Sequence, residues 1–477
     1  MELLELTALE LGRAIKAGET TIPAATQAAL ERISRENPQN NAFITVLTGA
    51  AMERAEALQG ALTPDAPPLY GVPMALKDNI CTKDVVTTCA SKILGGFAPP
   101  YTATAAKRLE EAGAVLLGKL NMDEFAMGST SETSFFGPVK NPRDLTRVPG
   151  GSSGGAAAAV CANMGWYALG SDTGGSIRQP GSYCGVTGMK PTYGTVSRFG
   201  LIAYASSLDQ IGPLAKDARD CAAILDAIAG RDRHDATSVD GPYGNVLSQL
   251  DGDLRGVKIG LPRECFDQGL DGEVDKAVRE MGKVLESRGA AVEEFSLPIM
   301  DCAVPTYYIL ACAEASSNLS RFDGVKYGWR AEEYEDLTDL YEKTRTQGFG
   351  REVKRRILLG TFVLSSGYFD AYYKKALQVK AVIAGAYQAA FERYDLILTP
   401  VAPTTAPKLG QSLADPLKMY LSDIYTVPVN LAGLPGISVP CGVDGQGLPI
   451  GGQLIGPAMG DALVLKAADA YQREVMA

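Results

Sequence analysis

Apolar residues at helical spacing alternate along this chain with short aliphatic runs, from the N-terminus almost to the last residue. That alternation predicts an α/β fold. Two helices open it, at 7–17 and 22–34; Thr20 or Thr21 caps the second, and Pro23 falls in its first turn. Strand-like runs follow at 43–47, 74–77, 114–117, 167–169, 258–261, 291–295, 396–398 and 437–440, with 450–455 completing a terminal pair. Helical runs lie at 103–112, 154–164, 218–229, 273–288 and 371–392, the last long and amphipathic. The loop-rich stretch 61–68 reads as a surface connection within one domain, and no repeat or low-complexity linker divides the chain.

Composition narrows the class. Of 477 residues, 46% are hydrophobic and 21% charged, the balance of a globular enzyme with a large core. A formal net charge of −10 argues against a broad nucleic-acid-binding face. No run of about 18 apolar residues is present, so no membrane span is expected. The start, MELLELTALELGRAIKAGE, lacks the basic region of a secretory signal. Nine cysteines occur singly, without a CxxC pair, so neither a disulfide framework nor a zinc site is expected, and the location reads as a reducing cytoplasm. Nothing in the spacing of Asp and Glu suggests a metal cage.

The candidate chemistry concentrates in PGGSSGGAAAAV, GSDTGGSIRQPGSYCG and VTGMKP, between Pro149 and Pro191. Ser152 and Ser176 each sit in a glycine-rich turn that runs straight into compact apolar sequence, which a flexible tether has no reason to do. Glycines ahead of a helix let the backbone approach a ligand, and the helix start offers N–H groups without partners. The turn 172–176 can therefore supply a nucleophile and an oxyanion hole together; one such donor is typically worth ~3–4 kcal/mol of transition-state stabilisation.

A serine nucleophile needs a base. The single histidine, His234, lies in the polar stretch GRDRHDATS, away from both turns. Lys77 closes the apolar run VPMAL, which draws its stem inward, and burial disfavours the ammonium form. To act as a base near neutral pH it has to fall from about 10.4 to roughly 7–8. A proton path from Ser176 through Ser152 to Lys77 makes a triad without histidine.

These three pieces, with lysine in GVPMALKDN and serines in PGGSSGG and GSDTGGSIRQP, resemble the amidase signature family. The resemblance implies a large twisted mixed β-sheet surrounded by α-helices, in a single domain over 1–477 with the N-terminal helices of about 1–65 packed on it. It implies Ser176 as acyl-forming nucleophile, Ser152 as a bridging serine on a cis peptide, and Lys77 as base. Thr173, Gly174 and Gly175 then frame the oxyanion hole. Further stretches, among them NMDEFAMGSTSETSFFGPVKNP, YASSLDQIGP, REVKRRILLGTF and MYLSDIYTVPVNLAGLPGISVP, resemble the glutaminase subunits of tRNA-dependent amidotransferases within that family. For such a glutaminase the substrate is glutamine, whose α-carboxylate Arg356 would hold and whose α-ammonium Asp423 would hold, with Tyr307 shaping the pocket. The same resemblance implies no cofactor in this chain. ATP and magnesium would belong to a B subunit that amidates misacylated Glu-tRNA(Gln) or Asp-tRNA(Asn), and a small C subunit would wrap the interface.

Two other readings stay open on the residues: a stand-alone amidase of the same family acting on another small amide, and a non-catalytic assembly protein. Nucleotide binding at Gly113–Lys119 is a further reading; the stretch fits GxxxxGK but lacks the following Ser or Thr and has the strand-like AVLL where an open loop belongs.

Overall fold

The computed structural model describes residues 2–267, 269–414 and 416–476. Eleven strands form one mixed sheet: β1 (Phe43–Val46), β2 (Pro73–Lys77), β3 (Val115–Leu120), β4 (Tyr167–Asp172), β5 (Thr187–Lys190), β6 (Gln210–Ala215), β7 (Lys258–Pro262), β8 (Ala291–Phe295), β9 (Leu396–Pro400), β10 (Gly436–Val443) and β11 (Pro449–Ile455). Their order is β1-β3-β2-β4-β6-β5-β10-β11-β9-β7-β8. The middle of the sheet, from β4 to β9, pairs antiparallel, while β3-β2-β4 and β9-β7-β8 pair parallel. Every residue of β2, β4, β5, β6, β9 and β11 is buried, as expected of strands covered on both faces by helices.

The α/β expectation therefore holds, and all nine strand-like runs become strands. The missing two, β5 and β6, read TGMK and QIGPLA. Gly and Pro dilute their aliphatic signal, and it is pairing with neighbours that makes them strands. The helix Met300–Asn318 carries no amphipathic stripe because much of its circumference is buried, so periodicity does not single it out. The long helix expected over 371–392 begins with a π-helical turn, Asp370–Lys374, and continues as Lys375–Phe391. At the N-terminus Thr21, not Thr20, is the cap, its hydroxyl accepting from Ala24 N–H. No described helix is long and apolar enough to cross a membrane.

Two features of this frame position the site. Because β2 and β4 run parallel in register (Leu76 opposite Leu169), Lys77 emerges beside the 170–172 end of β4, although 94 residues separate Lys77 from Ser171. The alanine-rich helix Gly154–Cys161 packs close against the chain leaving β3: a Cβ on Gly155 would stand 2.2 Å from the Asn121 carbonyl oxygen. On the other side of the site, Met300–Asn318 presses on the helix Arg351–Leu364 at Gly360, where a Cβ would lie 1.9 Å from the Cys312 carbonyl oxygen. Gly360→Ala should therefore lower stability by about 1–3 kcal/mol, because backbone cannot move aside as a side chain can. Denaturant unfolding checks this; an unchanged midpoint would mean that the two helices part without cost.

Candidate active site

Lys77, at the end of β2, is fully buried. Its Nζ lies 2.7 Å from Ser152 Oγ, 2.9 Å from Ser153 Oγ, 3.0 Å from Ser171 Oγ and 3.2 Å from the Ser171 carbonyl oxygen. Ser153 donates its own hydroxyl to the Ser171 carbonyl, so toward Lys77 it can only accept. Asn79 Nδ2 donates to Ser171 Oγ at 2.9 Å. Burial pulls the Lys77 ammonium from its ordinary 10.5 down to about 7; the negative fields of Asp123, Asp172 and Asp209 oppose the shift. Near neutrality the amine is thus available with its lone pair, and Ser152 Oγ is the hydroxyl nearest to it. The Gly151–Ser152 peptide is cis.

The two serine turns are joined directly, since Ser153 N–H donates to the Ser176 carbonyl at 3.1 Å. Ser152 has no exposed surface, whereas Ser176 retains 8%, and among the described residues its hydroxyl has no hydrogen-bond partner. Asp172 fixes the turn: Oδ1 accepts from Gly175 N–H at 2.8 Å, and Oδ2 accepts from Ile177 N–H at 3.1 Å. Arg178 grips both carboxylate oxygens (3.1 and 3.0 Å), with neither side chain exposed. Arg178 also donates to Gln453 Oε1 and to the Thr426 carbonyl, and Asn430 Nδ2 donates to Asp172 Oδ1. Burial alone would raise the Asp172 carboxyl, but the Arg178 charge and hydrogen bonds hold it well below the usual carboxylate range.

The Asp172 bond engages the Gly175 N–H. The N–H groups of Thr173, Gly174 and Ser176 have no protein acceptor among the described residues. Gly175 adopts φ +134°, and a Cβ there would stand 2.2 Å from Thr426 Oγ1, so the turn tolerates no side chain. Thr426 Oγ1 donates to the Gly174 carbonyl at 2.7 Å, which leaves that oxygen engaged.

Tyr307 and Asp423 lie beside the same turn, Tyr307 over Gly174 and Asp423 against Gln179, and Arg356 stands behind them among tyrosine rings. Tyr307 lies over Gly174, whose added Cβ would meet its Cζ at 2.6 Å. Arg356 is not a surface charge like its neighbours in sequence: it is 3% exposed. Its Nε donates to Glu352 at 2.9 Å and one Nη to Tyr204 Oη at 2.7 Å, while the other Nη is buried with no partner among the described residues. The rings of Tyr204, Tyr308 and Tyr420 surround its guanidinium at 5.1–5.7 Å. Asp423 caps no helix with its side chain; its oxygens accept from Ser129 Oγ and from Gln179 Nε2 (3.3 Å). Burial raises its carboxyl to about 7, and Ser129 and the Arg356 charge counter the rise.

One segment ties these parts together, and no role was assigned to its residues by spacing. Asp123 N–H donates to the Ser152 carbonyl, the Glu124 carboxylate accepts from Gly350 N–H at the head of the Arg356 helix, and Ser129 holds Asp423. Ser153, Ser171, Asp172 and Arg178 were likewise in view only as members of the glycine-rich motifs. Their alternation with glycine was the available signal, but their roles are tertiary contacts that sequence does not display.

The other candidates fall elsewhere. Lys119, from GxxxxGK, is buried in β3 and donates to the Ile80 carbonyl and Thr87 Oγ1, so no open phosphate loop exists. His234 pairs with Asp232 at 2.9 Å and stacks on Phe199, away from the serines. All nine cysteines are unpaired. Among the described residues no group of three or more His, Cys, Asp or Glu side chains is arranged to hold a metal ion.

With this geometry in hand, comparison with known proteins is specific. The amidase family model matches residues 24–465. The A subunit of the glutamyl-tRNA(Gln) amidotransferase of Lachnospira eligens is 60% identical over 478 residues, covering 99% of both chains. The crystal structure of the corresponding glutamyl-tRNA(Gln) amidotransferase polypeptide from Thermotoga maritima aligns with TM-score 0.81 and 43% identity, covering 99% of this chain and 95% of that one. The peptide amidase of Stenotrophomonas maltophilia aligns with TM-score 0.83 at 30% identity, over 99% and 97% of the two chains.

Arg178→Met should leave Asp172 as a buried charge without its partner, at a cost of about 3–5 kcal/mol. Chemical denaturation measures it; a loss below about 1 kcal/mol would show that the clamp does not hold the turn.

Proposed function

The chain belongs to the amidase family, and from that premise we propose that it is the glutaminase subunit of a tRNA-dependent amidotransferase. The observation that carries the reading is a pair of opposite buried charges at one triad. Arg356 offers an unpartnered Nη, and Asp423 lies close enough to feel the Arg356 charge. A free α-amino acid is the small amide that presents both a carboxylate and an ammonium to such a pair.

In this reading Ser176 Oγ attacks the glutamine side-chain carbonyl carbon, and its proton passes through Ser152 Oγ to the neutral Lys77 amine. Negative charge gathers on the carbonyl oxygen, against the oxyanion turn of Thr173, Gly174 and Gly175; the partnerless N–H groups of Thr173, Gly174 and Ser176 are its donors, and Gly175 gives the turn its shape. Collapse breaks the C–N bond, Lys77 returns the proton to the departing nitrogen, and ammonia leaves. Water then attacks the glutamyl ester with the same proton path, releasing glutamate and regenerating Ser176. Tyr307 closes the pocket over Gly174.

The amidotransferase relatives support the larger assignment: ammonia passes to a B subunit, which holds ATP, magnesium and most of the contact with misacylated tRNA, while a small C subunit wraps the interface, all in the cytoplasm. A second reading, a stand-alone amidase, is favoured by the likeness to the peptide amidase over nearly the whole chain.

Ammonia release separates the two. We expect turnover of glutamine, abolished in Ser176→Ala, lost in Lys77→Ala and not restored in Lys77→Arg, whose guanidinium stays protonated. Two further polypeptides should co-purify in equal amounts. Turnover of an apolar amide with indifference to glutamine would instead establish the stand-alone enzyme.

A further inference from the structure

Asp209 takes no part in the proton path or in the grip on substrate, yet it is 2% exposed and sits between the two halves of the site. It immediately precedes β6, whose first residue, Gln210, pairs with Asp172, so the sheet register sets it beside the nucleophile turn. Its Oδ1 accepts the Thr173 hydroxyl at 2.7 Å. Its Oδ2 accepts Tyr204 N–H at 2.9 Å, and Ala205 N–H falls between both oxygens at 3.2 and 3.1 Å. Tyr204 in turn receives Arg356 through its hydroxyl. Thr173 is thus linked to Arg356 through Asp209 and Tyr204, the Tyr204 side chain spanning from the backbone N–H that Asp209 holds to the hydroxyl that Arg356 donates to.

We propose that Asp209 is a positioning residue that holds the carboxylate-binding arginine and the oxyanion turn in one register, so that a substrate seated on Arg356 presents its amide to Ser176. The proposal rests on the glutaminase reading of the site. A carboxylate suits the task because it accepts on both oxygens at once, one toward each half. Burial raises the Asp209 carboxyl to about 6, against the pull of Thr173, Ala205 and Tyr204. It is therefore ionised, and accepting on both sides, at neutral pH.

The two arms can be cut separately. Glutamine turnover in the assembled complex reads both arms, and the rate of Ser176 labelling by a fluorophosphonate, which has no α-carboxylate, reads the oxyanion arm alone. Thr173→Val should lower kcat and the labelling rate roughly 10-fold with KM retained, and Tyr204→Phe should raise KM roughly 10-fold with labelling unchanged, each the loss of one hydrogen bond. Asp209→Asn should do both. If that variant does not fold, the double variant Thr173→Val/Tyr204→Phe stands in its place, with the same combined effect expected. A KM change without a labelling change in Asp209→Asn, the reverse, or labelling slowed equally by Tyr204→Phe would overturn the link. A wild-type protein that labels at Ser176 but ignores glutamine would instead overturn the glutaminase reading.

Discussion

A lysine with no exposed surface, surrounded by hydroxyls and one carbonyl, is the constraint on which the rest of this structure depends. A fall from 10.5 to about 7 means that the surroundings disfavour the Lys77 ammonium by roughly 4–5 kcal/mol relative to water. Only a rigid scaffold keeps water and carboxylates from relieving that penalty. Asp123, Asp172 and Asp209 all act on Lys77 at a distance, yet none forms a salt bridge with it. Each is instead committed elsewhere: Asp123 to Ser131 and Thr133, Asp172 to Arg178 and the nucleophile turn, Asp209 to Thr173 and the Tyr204 loop.

Those commitments explain how widely separated parts of the chain share one site. Parallel pairing of β2 with β4 sets Lys77 beside the turn. The Asp172–Arg178 clamp then gives the turn its shape and extends through Gln453 and Asn430 to β11 and the 427–431 segment. Thr426 continues the path to Gly174, three residues from Asp423. Residues 123–129 join the Ser152 turn to both the Arg356 helix and Asp423. The Arg356 and Asp423 side chains and the two serine turns are thereby parts of one hydrogen-bonded body.

The fold class and the pairing of Lys77 with Ser152 were legible in the sequence for different reasons. Buried strands such as 74–77 and 396–398 are unbroken aliphatic runs, so their apolar signal survives without context. Lys77 was visible because it ends such a run, and the serines because glycine marks turns that approach something closely. β5 and β6 were not legible: with Gly and Pro in them, pairing decides their state. Arg356 was ambiguous for a related reason, standing in a run of cations of which it alone is pulled inward, by Glu352 one turn earlier on its own helix and by Tyr204 from a distant position. Asp172, Arg178 and Asp209 are the residues whose importance the sequence concealed: Asp172 and Arg178 are six residues apart, but their burial and their contacts with Gln453 and Asn430 come from distant segments, as do the Asp209 contacts with Thr173.

The most direct test of Lys77 as the base is the rate of Ser176 phosphonylation by a fluorophosphonate as a function of pH. A neutral Lys77 amine is the reactive form, so the rate should rise with pH along a single limb with its midpoint near 7, and the limb should vanish with the activity in Lys77→Ala. A rate that does not vary with pH, a midpoint near the ordinary lysine value of 10.5, or an unchanged profile in Lys77→Ala would contradict the assignment of the base.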